Sequence, residues 1–289
     1  NEPSENVVIA AAAMEMFQSS FLVHDDIMDR DYKRRGAPTV FAQYQQLAKD
    51  KGIENEKHFG EAMGICAGDM SFYFAFQILT HLDLPSEMKE KIIELCFSEI
   101  SSTCVAQMQD VSFGFRQSSP TEEDVFQLYR HKTGRYTFSL PFMLGAVLAE
   151  QDKAILTTLE KLGEELGIIF QLKDDELGLF GNEEDIGKPV GSDIRENKKT
   201  LLRIYMEELA DPEESRWLKQ LFGKQSLTEE ELRWLRDFAD SSGAREKVDK
   251  MAAEHAEECR RLISKLPNLS DTGRTQFNEL LEYNLGRKT

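Results

Sequence analysis

The feature that most constrains the fold of this sequence is its helical periodicity. Apolar residues recur at helical spacing along nearly every segment, as in residues 5–30, where Val8 and Phe17 lie on the predicted buried side. Runs of β-branched residues bounded by turn signals are scarce. The pattern predicts an all-α protein. Its long helices are expected over residues 5–30, 56–82, 85–113 and 152–175.

Local signals divide the chain further. Ser119, Asp211 and Thr228 are predicted N-caps, and the helix that Ser119 opens is expected to run toward residue 148. Residues 180–199 are rich in Gly, Asp and Lys and predict a functional loop. No segment resembles a linker, so residues 1–289 are predicted to form a single domain.

Acidic residues gather toward the ends of two apolar helices. Asp25, Asp26 and Asp29 span an arc of about 100° on a helix, so all three can face one point. The helix dipole disfavours anions there by roughly 0.3–1 kcal/mol each, so the cluster requires a cation. Asp174 and Asp175 form a second acidic pair. One such pair is usually a solvated terminus, but two facing each other across a bundle predict Mg²⁺ shared with a phosphate-bearing substrate.

Basic and aromatic residues near these acids favour a diphosphate substrate. The candidate cations are Arg34, Arg35, Lys132 and Lys188. Metals and cations stabilise a diphosphate as a leaving group, and an allylic chain would then leave a carbocation. Such a cation needs a dry pocket with hydroxyl and amide dipoles, for which Thr133 and Gln171 are candidates. The aromatic candidates for its wall, for which core packing is the alternative, are Phe17, Phe21, Phe138 and Phe142.

Composition argues against several partners and locations. The formal net charge of −17 argues against nucleic acid, which requires a basic surface. No apolar run reaches the roughly 18 uncharged residues of a membrane span, so no transmembrane segment is expected. The four cysteines lack zinc-ligand spacing and are expected to be reduced thiols, which favours a cytoplasmic location.

Taken together, these motifs resemble those of the trans-isoprenyl diphosphate synthases, most closely geranylgeranyl and farnesyl diphosphate synthases. The first aspartate-rich motif corresponds to residues 25–29, and Arg34-Arg35-Gly36 follows at the spacing of that family. Further matches are the Gln-x-x-Asp pattern at residues 107–110, the Lys-Thr pair at 132–133, the second aspartate motif after 171 and the loop at 187–193.

The resemblance implies a helical bundle around a central cavity, usually dimeric. It implies that isopentenyl diphosphate condenses head-to-tail with an allylic diphosphate, with three Mg²⁺ per active site. The implied metal ligands are Asp25, Asp26, Asp29 and Asp174, with Asp175 in support. The implied allylic diphosphate ligands are Arg34, Lys132 and Lys188. Isopentenyl diphosphate would contact Arg35 and Gln18, and the residues stabilising the cation would be Thr133, Tyr136 and Gln171.

Two departures from the family pattern stand out. Gly178 replaces the third aspartate of the second motif, but activity is expected to survive because the first aspartate does most of the ligation. A Gly-Lys-Arg-x-Arg-Pro segment that contacts isopentenyl diphosphate in the family would precede residue 1, together with N-terminal helices of the family. The sequence given would then lack part of the second-substrate site.

Product length is predicted from the residues upstream of Asp25. Small Ser20, beside Phe21, is expected to open the cavity floor, and Phe17 one turn deeper to close it, which predicts the twenty-carbon geranylgeranyl diphosphate. One alternative is a non-catalytic regulatory subunit of a heteromeric prenyl synthase. Another is a class I terpene cyclase, whose Asn/Asp-x-x-Ser/Thr-x-x-x-Glu site has its nearest match at residues 197–204, with Ile204 instead of Glu.

Overall fold

The structure, a computed structural model, describes residues 4–116, 119–181, 191–267 and 269–287. Within these ranges the only strands are those of a two-stranded hairpin, which confirms the predicted all-α class. The chain divides into two compact units. Unit 1 comprises Asn1–Phe97 and Val147–Glu150, and unit 2 comprises Ser98–Ala146 and Gln151–Thr289. The single domain stays a prediction.

Unit 1 contains the first elements of the chain. They are α1 (Glu5–Met28), β1 (Lys33–Arg34), β2 (Ala37–Pro38), α2 (Val40–Lys51) and α3 (Glu56–Thr80). Helix α4 (Ser86–Phe115) begins in unit 1, and its residues from Ser98 onward belong to unit 2. Helix α2 was not predicted from the sequence.

Unit 2 continues with α5 (Glu122–Tyr129), a π-helix (Arg130–Ser139) and α6 (Leu140–Leu148), whose last two residues belong to unit 1. The later helices are α7 (Lys153–Phe180), α8 (Ser192–Arg195), α9 (Leu201–Leu209), α10 (Pro212–Leu221), α11 (Glu229–Ser241), α12 (Ala244–Lys265) and α13 (Asp271–Leu285). Residues 182–190 of the predicted loop at 180–199 lie outside the described residues, and the described end of the loop includes α8.

Small residues let α1 and α3 approach closely in unit 1. The ideal Cβ of an alanine at Gly68 would lie 2.5 Å from the His24 ring, so an alanine there would require the ring to move. The buried hydroxyl of Ser20 donates to the Gly68 carbonyl at 2.7 Å, and Ser71 donates to the Met16 carbonyl at 2.9 Å. These two bonds between a serine hydroxyl and a carbonyl of the other helix fix how far α1 and α3 can slide along each other.

The hairpin after α1 turns through two residues with positive φ. Arg35 has φ 51° and Gly36 has φ 76°, between the paired residues Arg34 and Ala37. Two such residues in a two-residue loop form a type I′ turn, whose twist matches that of the strands. The turn brings Arg34 back toward the acids at the end of α1. The sequence predicted a break in the chain here, but not a hairpin.

Helix α7 lies at the centre of unit 2 and packs against both the π-helix and α12. Its buried residues Leu162, Leu166 and Ile169 join a cluster with Cys259 and Leu262 of α12. A second apolar cluster includes residues of α7, α9 and α11 and surrounds the fully buried Tyr205. Burial at roughly 25 cal/mol per Å² of apolar surface makes these clusters the main source of stability in the unit.

Two of the three predicted N-caps are confirmed. Asp211 and Thr228 each form a capping box, the first with Glu214 and the second with Glu231. The prediction for Ser119 was wrong, because Thr121 is the cap of α5 and exchanges hydrogen bonds with Asp124. The Ser119 hydroxyl instead donates to Glu207 at 2.8 Å.

Two helix boundaries differ from the prediction. The helix expected to end at residue 175 continues to Phe180, so Asp174 and Asp175 lie inside α7 and not at its terminus. The helix expected to run toward residue 148 changes its hydrogen-bonding pattern at Arg130 and becomes a π-helix until Ser139. Of the predicted buried side of α1, Phe17 is buried, whereas Val8 is exposed.

Two described helices, α1 and α3, are long and apolar enough by length and composition to cross a membrane. Core helices of water-soluble proteins also meet this criterion, so it does not by itself identify a membrane span. The absence of a transmembrane segment therefore stays a prediction. All four cysteines are free thiols, as the sequence predicted.

Candidate active site

The acids of the first motif occupy the last turn and the C-cap of α1. Asp25 and Asp29 lie one turn apart, whereas Asp26 is rotated by about 100° and is almost fully buried. Arg34 from the hairpin donates from Nε to Asp26 at 2.6 Å, and its Nη2 lies 3.6 Å from Asp25. The compensating cation expected at this helix end is therefore, in part, Arg34 itself.

Burial controls the electrostatics of this pair. It raises the pKa of Asp26 to about 6, although the nearby Arg34 guanidinium acts in the opposite direction. For Arg34, burial disfavours the cation, but Asp26 outweighs it and the pKa rises above its usual value. The buried Nη2 of Arg34 has no hydrogen-bond partner. An unsatisfied buried donor costs about 1–3 kcal/mol, so a further acceptor at this atom would be stabilising.

The oxygen donors of this region fit Mg²⁺ only if a substrate completes the coordination. Among the described residues no group of three or more His, Cys, Asp or Glu side chains converges to hold a metal alone. Mg²⁺ is commonly bound by one or two carboxylates together with substrate phosphates. Asp25 and Asp29 on one face of α1 match that kind of site, and the metal roles of all five predicted ligands stay predictions.

The predicted chain-length residues lie on α1 in an aromatic cluster of unit 1. The Phe17 ring is 4.9 Å from Phe76 and 6.1 Å from Phe72, and Phe21 contacts Phe72 edge-on at 5.1 Å. Phe72 and Phe76 belong to α3, and their contribution was not predicted from the sequence. Ser20 is fully buried, so the space that its small side chain leaves is filled by the α3 backbone at Gly68.

The two predicted isopentenyl diphosphate ligands of the chain are also in unit 1. Gln18 is partly buried on α1, and Arg35 is exposed at the turn of the hairpin. The positive φ of Arg35 is uncommon for a residue other than glycine. Such backbone conformations often accompany functional positions, and the binding roles of both residues stay predictions.

In unit 2 the π-helix brings several predicted residues together. Lys132 hydrogen-bonds to Asp110 of α4, and the Thr133 hydroxyl donates to the side-chain amide oxygen of Gln171 on α7 at 2.9 Å. Tyr136 is partly buried in the same π-helix. A π-helix often marks a functional segment, because one extra residue per turn redirects the side chains. The structure thus joins Thr133 and Gln171, which sequence reasoning placed near one cavity mouth.

A hydrogen-bonded chain connects these residues to the second aspartate motif. Gln171 donates from Nε2 to Asp175 at 2.9 Å, and the Tyr129 hydroxyl donates to the other oxygen of Asp175. Asp175 is buried, and burial followed by the negative charge of Asp193 raises its pKa well above the usual range. Its carboxylate is therefore held by side chains of unit 2, whereas the Asp174 side chain is half exposed.

Glycines explain how the π-helix comes so close to α7. The ideal Cβ of a residue at position 167 would lie 2.1 Å from the Gly134 Cα, and one at 163 would lie 2.3 Å from the Ser139 nitrogen. Arg135 adds an ionic connection. Its guanidinium bonds Glu99 of α4 in two places at 2.6 Å and bonds Glu160 and Glu164 of α7 at 2.7 Å. Neither the glycines nor Arg135 were predicted as part of the site.

Arg287 is a further residue that sequence reasoning missed. Its guanidinium lies 3.4 Å from the Asp174 carboxylate and 3.9 Å from the centre of the Phe170 ring. The only signal for it was a basic residue near the end of the chain. Lys188 lies outside the described residues. The opposition of the two acidic motifs is a relation between units 1 and 2 and stays a prediction.

The residues nearest to a cyclase metal motif have structural roles. The Asn197 side chain donates to the Gly114 carbonyl at 2.9 Å and accepts from Arg203 at 2.8 Å. The Thr200 hydroxyl accepts from the Arg203 nitrogen and caps α9. These contacts, together with Ile204 in place of a glutamate, disfavour the terpene cyclase interpretation.

A family model and several known proteins match this chain. The family model for polyprenyl synthetase matches residues 1–238. A short chain isoprenyl diphosphate synthase from Methanocaldococcus jannaschii is 32% identical over 223 residues, which cover 77% of this chain and 62% of that protein. A geranylgeranyl diphosphate synthase from Sulfolobus acidocaldarius is 35% identical over 226 residues, which cover 78% of this chain and 63% of that protein. Both alignments thus span less than two thirds of the relative's length.

A solved structure is similar over almost the whole chain. The geranylgeranyl pyrophosphate synthase from Corynebacterium glutamicum, complexed with isoprenyl diphosphate and magnesium, matches with a TM-score of 0.92 and 30% sequence identity. The match covers 99% of this chain and 81% of that chain.

Proposed function

Because the chain belongs to the polyprenyl synthetase family, we propose that it is a prenyltransferase that condenses isopentenyl diphosphate with an allylic diphosphate. In this reaction the allylic C–O bond to diphosphate breaks and a carbon–carbon bond forms to the terminal alkene carbon of isopentenyl diphosphate. A proton then leaves the condensed cation and is taken by the released diphosphate. The observation that carries the proposal is the chain of hydrogen bonds from Thr133 through Gln171 to Asp175, next to Asp174.

Different residues of this chain would bind the two substrates and stabilise the cation. Arg34 and Lys132, with Lys188, would bind the allylic diphosphate, and Arg35 with Gln18 would bind isopentenyl diphosphate. Dipoles from Thr133, Tyr136 and Gln171 would stabilise the allylic cation, because fixed dipoles act strongly where water is excluded. Lys132 is oriented for this role by Asp110, which draws its ammonium group to one side of the π-helix.

We propose Mg²⁺ as the cofactor, with three ions per active site. Bound Mg²⁺ would neutralise the diphosphate and stabilise it as a leaving group. Asp25, Asp29 and Asp174 would hold it most directly, because Asp26 is committed to Arg34 and Asp175 to Tyr129 and Gln171. The magnesium in the structure of the Corynebacterium glutamicum protein supports this choice of metal.

Product analysis tests the proposed reaction. The protein would be incubated with Mg²⁺, isopentenyl diphosphate and allylic primers of five, ten and fifteen carbons, and the products separated by chromatography. We expect products longer than each primer and none when the metal is chelated. A catalytically silent protein that instead increases the activity of another prenyl synthase would favour the regulatory-subunit alternative. A cyclic hydrocarbon would favour the cyclase alternative.

We propose geranylgeranyl diphosphate, with twenty carbons, as the main product, and the name of the Sulfolobus acidocaldarius relative supports this length. Phe17 is the proposed limit, since its ring packs against both Phe72 and Phe76 of α3. Phe17→Ala should lengthen the product. Phe41→Ala, which removes a buried ring outside this cluster, is the matched control and should leave the length unchanged. Equal product lengths in wild type and Phe17→Ala would contradict the assignment.

Ser20 needs a different test from the one its size suggests. A phenylalanine at position 20 would meet the α3 backbone at Gly68, so Ser20→Phe would disturb the α1–α3 contact as well as any cavity. Shortened products from that variant would count toward a chain-length role only if its melting temperature stayed near that of wild type.

We also propose a homodimer in the cytoplasm. Exposed apolar side chains on α3 and α4 support a second copy as partner. The four free thiols support a reducing compartment, and cell fractionation tests it.

A further inference from the structure

The π-helix Arg130–Ser139 is long for its type, since most π-helices are single-turn bulges within α-helices. Its hydrogen bonds join residues five apart, whereas those of an α-helix join residues four apart. Each turn therefore takes in extra chain, and the side chains rotate relative to their directions in an α-helix. A π-helix of this length requires contacts from other elements that favour its register over the α register.

The side chain of Arg135 joins the π-helix to two other helices of unit 2. Its Nε and Nη2 donate to the two oxygens of Glu99 on α4 at 2.6 Å. Its Nη1 donates to Glu164 and its Nη2 also to Glu160, both on α7 at 2.7 Å. The Glu99 side chain is only 3% exposed, so its charge depends on this partner. A planar guanidinium can bind three carboxylates in this way, whereas the single ammonium group of a lysine cannot.

The Glu164 carboxylate depends on the register of the π-helix. One of its oxygens accepts from Arg135, and the other lies 3.7 Å from Nε of Arg130. Residues five apart on an α-helix point about 140° apart, so one carboxylate would not meet both arginines. The hydrogen bond between residues five apart brings them together in a π-helix. The contact of Glu164 with both arginines therefore favours the π register.

That register determines the position of Thr133, whose hydroxyl donates to the side-chain oxygen of Gln171 at 2.9 Å. The neighbouring Lys132 is held separately by Asp110 of α4. We infer that Arg135 is a positioning residue: held by three carboxylates, it fixes the π register and thereby places Thr133 against Gln171. The inference rests on the proposed function, in which the Thr133 hydroxyl stabilises the allylic cation.

Steady-state kinetics of Arg135→Lys test the inference. The lysine keeps the charge but loses the planar guanidinium, and we expect kcat to fall about 100-fold, as a misplacement of about 1 Å does. The KM for isopentenyl diphosphate should stay within about two-fold, because the lost interaction acts only in the transition state. Arg261→Lys is the matched control, since Arg261 bonds both oxygens of Glu258 within α12, and it should retain wild-type kinetics.

A double-mutant cycle with Thr133→Val separates positioning from a general loss of stability. Thr133→Val replaces the hydroxyl with a methyl group and should itself lower kcat. If Arg135 acts through this hydroxyl, adding Arg135→Lys to Thr133→Val should lower kcat by less than about three-fold further. A merely structural role would lower kcat by the same factor in both backgrounds, and that result would overturn the inference.

Crystal structures of the variants provide a measurement that does not depend on activity. Glu164→Gln removes one charge from the network and keeps Glu99 and Glu160, so it carries the test if Arg135→Lys fails to fold. In each folded variant, residues 130–139 should form α-helical hydrogen bonds, and the bond from Thr133 to Gln171 should be lost. Glu164→Gln should also lower kcat without changing the KM for isopentenyl diphosphate. An unchanged π-helix in Glu164→Gln would overturn the inference.

The remaining outcomes separate this inference from the proposed function. Wild-type kcat in a folded Arg135→Lys overturns the inference, while condensation by the wild-type protein leaves the function standing. A changed register in the variants without any condensation by the wild-type protein overturns the function. Arg135 would then still fix the register of the π-helix, but Thr133 would have no catalytic role.

Discussion

Asp26 and Asp175 are each the second acid of a pair, and each is buried and bonded by a side chain outside its own motif. Asp26 accepts from Arg34, and Asp175 accepts from Tyr129 and Gln171. The first acids of the pairs, Asp25 and Asp174, have side chains that are 23% and 50% exposed. Adjacent residues on a helix point about 100° apart. One of two neighbouring acids can therefore be buried and hydrogen-bonded within the protein while the other faces a ligand.

This division predicts different costs for two otherwise similar substitutions. Asp26→Asn leaves the buried Arg34 cation without its closest anion, so the free energy of unfolding should fall by about 3 kcal/mol. Asp25→Asn is the matched control and should change it by less than about 1 kcal/mol. Denaturant titration without metal measures both. Equal losses would show that the two acids do not differ in structural role.

The Glu207 carboxylate gives a residue-level prediction on pH. Burial raises its pKa, but the Arg203 guanidinium at 2.8 Å and the Ser119 hydroxyl more than offset this, so the pKa lies below its usual value of 4.5. A lowered pKa in the folded state contributes stability above pH 4.5 that is lost as the pH falls through the folded value.

Glu207→Gln should therefore lower the free energy of unfolding by about 3 kcal/mol at pH 7, with a smaller difference below pH 4.5. Glu208→Gln changes the next residue of α9, which is half exposed and pairs with Lys247 at 3.2 Å. It should cost less than about 1 kcal/mol at either pH. A difference for Glu207→Gln that stays constant with pH would contradict the ion-pair explanation.

At the level of elements, the contact between α7 and the π-helix determines where Thr133 meets Gln171. Its closest point is Gly167 against Gly134, where an added Cβ would lie 2.1 Å from a backbone atom that cannot move alone. Gly167→Ala should force the two helices apart and cost about 1–3 kcal/mol or more of stability, with a loss of the proposed prenyltransferase activity. Activity and denaturant unfolding of the same preparation measure both effects.

Gly145→Ala is the control for that prediction. Gly145 lies in α6 with nothing within 4 Å of its ideal Cβ. Alanine has a higher helix propensity than glycine, so this variant should gain up to about 1 kcal/mol and keep its activity. If Gly167→Ala is as stable as Gly145→Ala, the close approach of α7 to the π-helix at Gly167 does not limit stability.

The elements also show which parts of the structure could be predicted from sequence. The all-α class and the caps at Asp211 and Thr228 depend on periodicity and on hydrogen bonds within one turn. Residues that are close in the sequence determine both features. The π-helix and the position of Arg34 over Asp26 depend on contacts between elements. Those contacts arise only when glycines or a turn bring the backbone close, and no local pattern signals them.

The site divides in the same way. The aspartates, Lys132, Thr133 and Gln171 were found because their chemistry is unusual at helical spacing, and three of them prove to be connected through hydrogen bonds. Arg135 was missed since a single charged residue is ordinarily part of a solvated surface, and Asp193 was named only as the last residue of the loop motif. The importance of Arg135 lies in the three carboxylates that it contacts.

For the whole molecule, net charge and exposed apolar surface have opposite effects on association between copies of the chain. The net charge of −17 favours solubility and opposes association between copies. Helix α3 nevertheless exposes Met70, Tyr73 and Phe74, which recur at the spacing of one helix face. The second half of α4 exposes Val105, Met108 and Phe115 in the same manner. Apolar stripes of this kind mark interaction surfaces more often than solvent-facing ones.

The proposed homodimer predicts a mass of twice the chain by light scattering after size-exclusion chromatography. Tyr73→Glu on α3 and Met108→Glu on α4 would each bury a charge in the interface and should shift the protein toward monomer. Tyr283→Glu changes an exposed aromatic on α13 and should leave the mass unchanged. Because these side chains are already exposed in one chain, the variants should fold normally. A monomeric wild-type protein would assign both stripes to a different partner, and a dimer unaffected by either charge would place the interface elsewhere.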